Sequence, residues 1–264
     1  MIKKIFNFFL IISLIITVSC NNYKKVLKGN DTQKKYELAE SLYNKKDYSK
    51  ALQILDELVN VYRGTENAEK IYFMYAFSYY GQDDYILAGY HFKQFYKIFP
   101  SSKHAEEALY MNAYCKYLDS PVYTLDQTST YEALEELQLF INTFPESTRV
   151  GDANKLMDEL REKLEKKAYG VAFLYYKTED FKAAIIALKN VLKDFPETKR
   201  KEEISYYIAK ASYIYAQKSV DSKKPERYRS TVDVCNSFLR TFSGSRYVKE
   251  VTAILNTSNK KILN

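Results

Sequence analysis

The 264-residue chain has no tryptophan, two histidines, three cysteines, five prolines and seven glycines. Each scarcity excludes something. So little glycine and proline leaves few turns or irregular strands. β-branched runs are short and Ala, Leu, Lys, Glu and Tyr dominate, so an all-α chain is expected. Three cysteines cannot build a disulfide framework. Beyond Cys20 only Cys115 and Cys235 remain, each inside a helical pattern, as one bridge or as two buried thiols. His91 and His104 are the only histidines, and no HExxH, glycine-rich phosphate loop, CxxC, Ser-His-Asp or Cys-His arrangement occurs. Turn and helix contexts account for the pairs Asp83-Asp84 and Glu135-Glu136. No catalysis, metal or cofactor is expected. With 46% hydrophobic and 28% charged residues the chain can bury a core, as one domain or as stacked units.

Long apolar runs are also missing, except at the start. In "MIKKIFNFFLIISLIITVSC", Lys3 and Lys4 precede an apolar stretch, Ile5 to Val18, too short for an ideal membrane span, and Ser19 places a small residue before Cys20. The segment resembles a bacterial lipoprotein signal in which residues 1–19 are removed and the Cys20 thiol carries a lipid. It departs from the usual pattern at Thr17, where leucine is favoured. A plain signal peptide or N-terminal anchor is the alternative, and either puts the remainder outside the cytoplasm. The residues just after Cys20 are Asn21, Asn22 and Tyr23, with no aspartate at the position that would suggest inner-membrane retention, so anchorage at the periplasmic face of the outer membrane is expected.

The formal charge of +7 falls to about +5 without Lys3 and Lys4. Lysines and glutamates alternate in stretches such as "DELREKLEKKAYG", which reads as solvated helix faces rather than a nucleic-acid patch.

What the chain does contain is an internal repeat. "DYSKALQILDELVNVYRGT" from Asp47, "DYILAGYHFKQFYKIFPSS" from Asp84 and "DFKAAIIALKNVLKDFPET" from Asp180 share an acid, an aromatic residue, and a small residue three later. A breaker follows twelve positions beyond that: Arg63, Pro100 and Pro196. Ala133 to Pro145 and Thr231 to Ser243 keep the same interval. Before each lies another helical pattern with its own small residue: Ala39, Ala76, Ala113, Ala172 and Ala209. Small residues let paired helices approach closely, and the breaker lets the chain turn back. Such units resemble tetratricopeptide repeats, which implies a right-handed superhelix of five helix-turn-helix units over nearly the whole mature chain. The usual tryptophan of that repeat is absent.

The stretch "FMYAFSYY", residues 73–80, carries five aromatic rings. Three positions before each first-helix alanine stand Tyr36, Phe73, Tyr110, Tyr169 and Tyr206; four after it stand Tyr43, Tyr80, Tyr117, Tyr176 and Tyr213. Directly after it come Phe77, Tyr114 and Phe173 in the middle units. These offsets share one helix face. Tyr75 and Tyr79 belong to the packing side. In tetratricopeptide arrays the first helices line the concave groove, so the column Tyr36, Tyr43, Phe73, Phe77, Tyr80, Tyr110, Tyr114 and Tyr117 is the candidate peptide site. Alternatively, several of these rings stack on the next repeat as core.

The spacing breaks in three places. Twenty residues separate Ala113 from Ala133 across "LDSPVYTLDQTST", and twenty-two separate Ala209 from Thr231 across "KSVDSKKPERYR". These are contact loops or tolerated insertions. Fourteen extra residues before Ala172 amount to roughly four additional helical turns. A long helix there divides the array into residues 32–148, with repeats 1 to 3, and 149–247, with repeats 4 and 5. Residues 20–31 precede them as a linker, and 248–264 follow as a helix or tail.

The lipoprotein signal, "YKKVLKGND", five repeats with "FPSS", "FPES" and "FPET" exits, and the third-repeat insertion together resemble the BamD family. That family belongs to the machinery that folds β-barrel proteins into the bacterial outer membrane. The resemblance implies that the N-terminal repeats hold unfolded barrel substrates and the C-terminal repeats dock on the barrel subunit BamA. It carries no residue motif for docking; charge and loop position single out Lys223, Lys224, Arg227 and Arg229. A tetratricopeptide scaffold lipoprotein for cell-envelope or peptidoglycan organisation is the competing reading.

Overall fold

The computed structural model describes residues 23–263. The signal segment 1–19 and the lipidation candidate Cys20 lie outside the described residues. Among the described residues there is no β-strand, and no helix is long and apolar enough to cross a membrane.

Five helix pairs follow one another: α1 (Thr32–Asn44) with α2 (Tyr48–Val61), α3 (Ala68–Tyr80) with α4 (Tyr85–Ile98), and α5 (Ala105–Asp119) with α6 (Thr128–Thr143). Then come α7 (Val150–Lys177) with α8 (Phe181–Asp194), α9 (Lys201–Gln217) with α10 (Lys224–Thr241), and a terminal α11 (Val248–Leu263). These are tetratricopeptide-type pairs. All ten small residues named from the sequence, from Ala39 to Thr231, are fully buried where the paired helices meet. Four and seven positions after the small residue, the second helices bury Leu55 and Leu58, Phe92 and Phe95, Leu137 and Phe140, Leu188 and Val191, Cys235 and Phe238. Truncating any such residue removes its transfer free energy and leaves a cavity, at a cost of about 2–5 kcal/mol. Cys115 and Cys235 are both buried free thiols, and burial pushes each up to about 12.

The extra residues before Ala172 do form one continuous helix, α7, 28 residues long. The "KSVDSKKPERYR" insertion is mostly helix as well. A 3₁₀ turn, Asp221–Lys223, leads straight into α10, with Pro225 in its first turn, where the missing N–H costs nothing. In the tight turns of repeats 1, 2 and 4, Lys46, Asp83 and Glu179 sit at φ near +60° just before the aspartate that opens the second helix. Asp84 and Asp180 cap their helices by accepting the amides of Leu87 and Ala183.

A further motif closes four of the five repeats. Ser102, Ser147, Thr198 and Ser245 each donate their hydroxyl to a glutamate in the first helix of the same repeat: Glu69, Glu106, Glu165 and Glu202, at 2.6–2.7 Å. Each hydroxyl also accepts the amide two residues on, from His104, Arg149, Arg200 and Tyr247. A partly buried hydroxyl on a carboxylate is a charge-assisted bond, and it fixes the exit turn to the helix start. In repeat 1 the equivalent positions are Thr32 and Thr65, and the Thr65 hydroxyl turns to its own chain at Tyr62 O.

The chain forms two compact units. Unit 1 holds the described residues 23–121 and 126–160, and unit 2 holds 122–125 and 161–263. Their apolar clusters are separate: Phe92, Leu109, Phe140 and Leu160 in one cluster of unit 1, Ile54, Leu58 and Ile71 in another, against Leu188, Ile204, Phe238 and Val251 in unit 2. The division falls within α7, between Leu160 and Arg161.

Candidate functional site

The aromatic column sorts into two layers. At its base, three before each alanine, Tyr36 and Tyr110 are buried and Phe73 is half-buried. The residue that accompanies the hydroxyl clasp covers this base ring in every clasped repeat. The His104 ring stacks on Phe73 at 4.4 Å, the Arg149 guanidinium lies 4.6 Å from the Tyr110 centroid, Arg200 lies 5.1 Å from Tyr169, and Tyr247 stacks on Tyr206 at 4.0 Å. In the unclasped repeat 1, Tyr62 and Lys70 cover Tyr36 instead. Tyr36 and Tyr110 therefore have little ring left to offer an incoming chain.

Above that base, Tyr43, Phe77, Tyr80, Tyr114 and Tyr117 are half-buried, each with part of its ring open. The i, i+4, i+7 spacing on α5 lays Tyr110, Tyr114 and Tyr117 nearly parallel, 6.0 Å apart with interplanar angles of 8° and 14°. Phe77 meets Phe73 and Phe92 edge-on at 4.8 Å, and Tyr80 bridges to Tyr114 at 6.4 Å. On α1, Tyr43 packs edge-on against Tyr48. The Tyr117 hydroxyl donates to Glu159 Oε2 at 2.5 Å, and that bond, with burial, pushes Tyr117 up to about 12. Burial pushes Tyr43 up to about 12 and raises Tyr80 and Tyr110. These hydroxyls stay neutral donors at any physiological pH.

Tyr75 is buried on the packing side. With Tyr72 and Tyr79 it surrounds His91. The Tyr72 hydroxyl is 3.2 Å from His91 Nδ1, Tyr79 stacks on the imidazole at 15°, and Tyr75 donates to Asp56. Burial lowers the His91 pKa. His91 thus packs inside unit 1, and among the described residues no group of three or more side chains could hold a metal ion.

Unit 2 carries the same ladder on α7. Tyr169, Phe173 and Tyr176 stack at 16° and 14°, and Tyr207 meets Phe173 and Tyr176 edge-on. Next to it Lys210 binds both the Tyr206 hydroxyl and Glu250. Three of the four basic docking candidates are engaged locally: Lys223 with Glu226, Lys224 with Asp221, and Arg227 stacked on Tyr215 at 4.0 Å while donating to Ser219. Arg229 is exposed and has no such partner among the described residues. The sequence reading missed the clasp, although its signal was present: glutamate seven before the first-helix alanine, and serine or threonine fourteen after the second-helix small residue.

A family model described as YfiO, an outer membrane lipoprotein, matches residues 28–204. The chain belongs to that family. The chain is also similar to two proteins that carry the name outer membrane protein assembly factor BamD. That of Aquifex aeolicus (strain VF5) is 26% identical over 199 residues, and that of Pasteurella multocida (strain Pm70) is 22% identical over 205. The matches cover 75% and 74% of this chain; it spans 65% of the Aquifex protein, just under two thirds, and 78% of the Pasteurella protein. Among solved structures the chain is similar to the TPR domain of P58(IPK), with a TM-score of 0.41 and 13% identity over 90% of this chain and 62% of that one.

Proposed function

We propose that the protein is a non-enzymatic, periplasm-facing lipoprotein, acylated on Cys20, that helps assemble β-barrel proteins into the outer membrane. Unit 1 holds an extended segment of an unfolded barrel across the open rings of Phe77, Tyr80, Tyr114 and Tyr117. Unit 2 docks on the barrel subunit of the machinery. Capture needs no covalent chemistry. A strand-like peptide lays apolar side chains on ring faces while the hydroxyls of Tyr80 and Tyr114 donate to its carbonyls, the Tyr117 hydroxyl being held by Glu159. The observation that carries the reading is the half-open ladder on α5, in a chain whose relatives are named as assembly factors.

The test is a pull-down of the tagged chain from solubilised outer membranes, followed by photo-crosslinking from a benzoylphenylalanine placed at Phe77. Recovery of a large barrel protein with periplasmic domains, and crosslinks to unfolded barrel chains, are expected. Tyr80→Ala with Tyr117→Ala should weaken the crosslink about tenfold or more, since ring contacts of this kind contribute roughly 1 kcal/mol each. Recovery of peptidoglycan or division proteins in place of the barrel subunit would overturn the proposal.

A further inference from the structure

The two units differ in charge far more than the whole chain suggests. Unit 1 has 16 Lys and Arg against 21 Asp and Glu among its described residues, a net of −5; unit 2 has 22 against 12, a net of +10. Part of that excess lies on one stripe. Lys182, Ile186, Lys189 and Lys193 recur at i, i+4, i+7 and i+11 on α8, so they share one face over about 16 Å. All four are exposed, Ile186 by 53%. The three lysines make no hydrogen bond, ion pair or ring contact with any described residue. The stripe itself carries no acid. The exposed acids that flank it in sequence are Glu179, paired with Lys218, and Asp180, the N-cap of α8, on one side, and Asp194 and Glu197 on the other. The same face of α10 adds Arg229 and Arg240, also exposed and without a partner among the described residues, together with Asp233. In unit 1 the matching positions read Ser49, Gln53, Asp56 and Asn60 on α2, and Tyr131, Glu135, Gln138 and Asn142 on α6; on α4 they read Ile86, Tyr90, Lys93 and Lys97, with Lys93 paired with Glu136, so no helix there repeats the three unpaired lysines.

We propose that the α8 face of unit 2 rests on an anionic lipid surface, with Lys182, Lys189 and Lys193 among the headgroups and Ile186 at the boundary of the acyl layer. Three features favour a bilayer over an acidic protein. The cations on the stripe are all lysine, a hydrated point charge depleted at the core of protein interfaces, where arginine and aromatic anchors concentrate. They are unpaired and spread along the helix, which suits a diffuse negative layer better than a docking pocket. The exposed Ile186 amid the lysines adds a small apolar contact to the charge attraction, while the broad apolar face of α8 (Phe181, Ala184, Leu188, Val191) is buried within unit 2. The family's outer membrane placement supplies the surface. Each lysine near an anionic bilayer contributes about a fivefold gain in binding, so three give roughly a hundredfold.

The test is lysine acetylation read by mass spectrometry. The full chain purified from membranes is bound to vesicles of phosphatidylcholine alone, or of phosphatidylcholine with phosphatidylglycerol. In the anionic vesicles Lys182, Lys189 and Lys193 should be acetylated at least fivefold more slowly, while the exposed unit 1 lysines Lys45, Lys46 and Lys97 keep their rates. Protection should vanish at molar salt, where the screening length is about 3 Å. Equal rates in both vesicles, or slowing of every lysine alike, would overturn the proposal. So would protection that appears in neutral vesicles only when the barrel subunit is added, since that would assign the stripe to a protein. Failure of the barrel pull-down leaves the outcome unaffected.

Discussion

Units 1 and 2 repeat one helical hairpin with the same buried alanines, the same hydroxyl clasp and the same stacked ladder, yet one is net acidic and the other strongly basic. Interior positions of a repeat are held by packing, because each small residue sits where two backbones meet and each +4 and +7 residue fills a fixed volume. Outer positions are under no such constraint, and it is there that the two units differ. What separates them is the chemistry each presents: open rings edged by acids such as Glu159 in unit 1, and unpaired cations in unit 2.

The hardest test of that comparison is to damage one core and watch the other. Leu109→Ala in unit 1 and Leu188→Ala in unit 2 each delete a fully buried side chain, for an expected loss of about 2–5 kcal/mol. Hydrogen exchange should show faster opening of α3 to α6 in the first variant and of α8 to α11 in the second. Equal acceleration everywhere in both variants would mean that the chain opens as one cooperative body.

A smaller effect is expected at the clasps. Glu69→Ala and Glu165→Ala each strand a partly buried hydroxyl that otherwise donates to a carboxylate, which should cost about 1–3 kcal/mol in either unit by denaturant unfolding. Repeat 1 allows the converse. Thr32→Glu supplies the missing acid opposite Thr65 and should add about 0.5–1 kcal/mol. An acid in the first helical turn is favourable on its own account. The gain counts as a clasp only if a double-mutant cycle with Thr65→Val returns a coupling between the two sites.

The cores and clasps show what a single sequence can reveal. The spacing of small residues was enough to locate the crossing within each of the five helix pairs, because close backbone approach admits only small side chains, and all ten proposed positions are fully buried. The ring column could be read as a periodicity but not as an accessibility. Which rings stay open depends on what covers them from the following turn: His104, Arg149, Arg200 and Tyr247 lie 31 to 41 residues downstream of the rings they cap. The charge split was hidden for a different reason. A net of +7 averages two units of opposite sign, and the boundary needed to separate them lies inside an uninterrupted helix, between Leu160 and Arg161, with no break in the residues to announce it.

The smallest predicted effect separates the units by pH. Both histidines lie in unit 1, and unit 2 has none among its described residues. His91 is enclosed by Tyr72, Tyr75 and Tyr79 of α3 and Tyr90 of α4, with the carboxylates of Asp56 and Asp84 as the nearest charges. Desolvation outweighs those two acids and holds the folded pKa below the ordinary 6.5. The unfolded chain therefore takes up its proton first as pH falls. The stability contributed by neutral His91 is fully present above about pH 6.5 and is lost as pH falls towards the folded value. Carboxylates whose pKa values are lowered by their partners, Asp31 in unit 1 and Asp221 and Glu250 in unit 2, act only at more acid pH. Between pH 7 and 5, amide protection relative to the intrinsic exchange rate at each pH should thus fall in α3 and α4 and stay unchanged in α9 and α10. His91→Phe keeps a ring among the tyrosines but cannot titrate, so the acid response of α3 and α4 should disappear in that variant. If the response persists, the acid sensitivity of unit 1 arises from groups other than His91, whose imidazole serves only as packing.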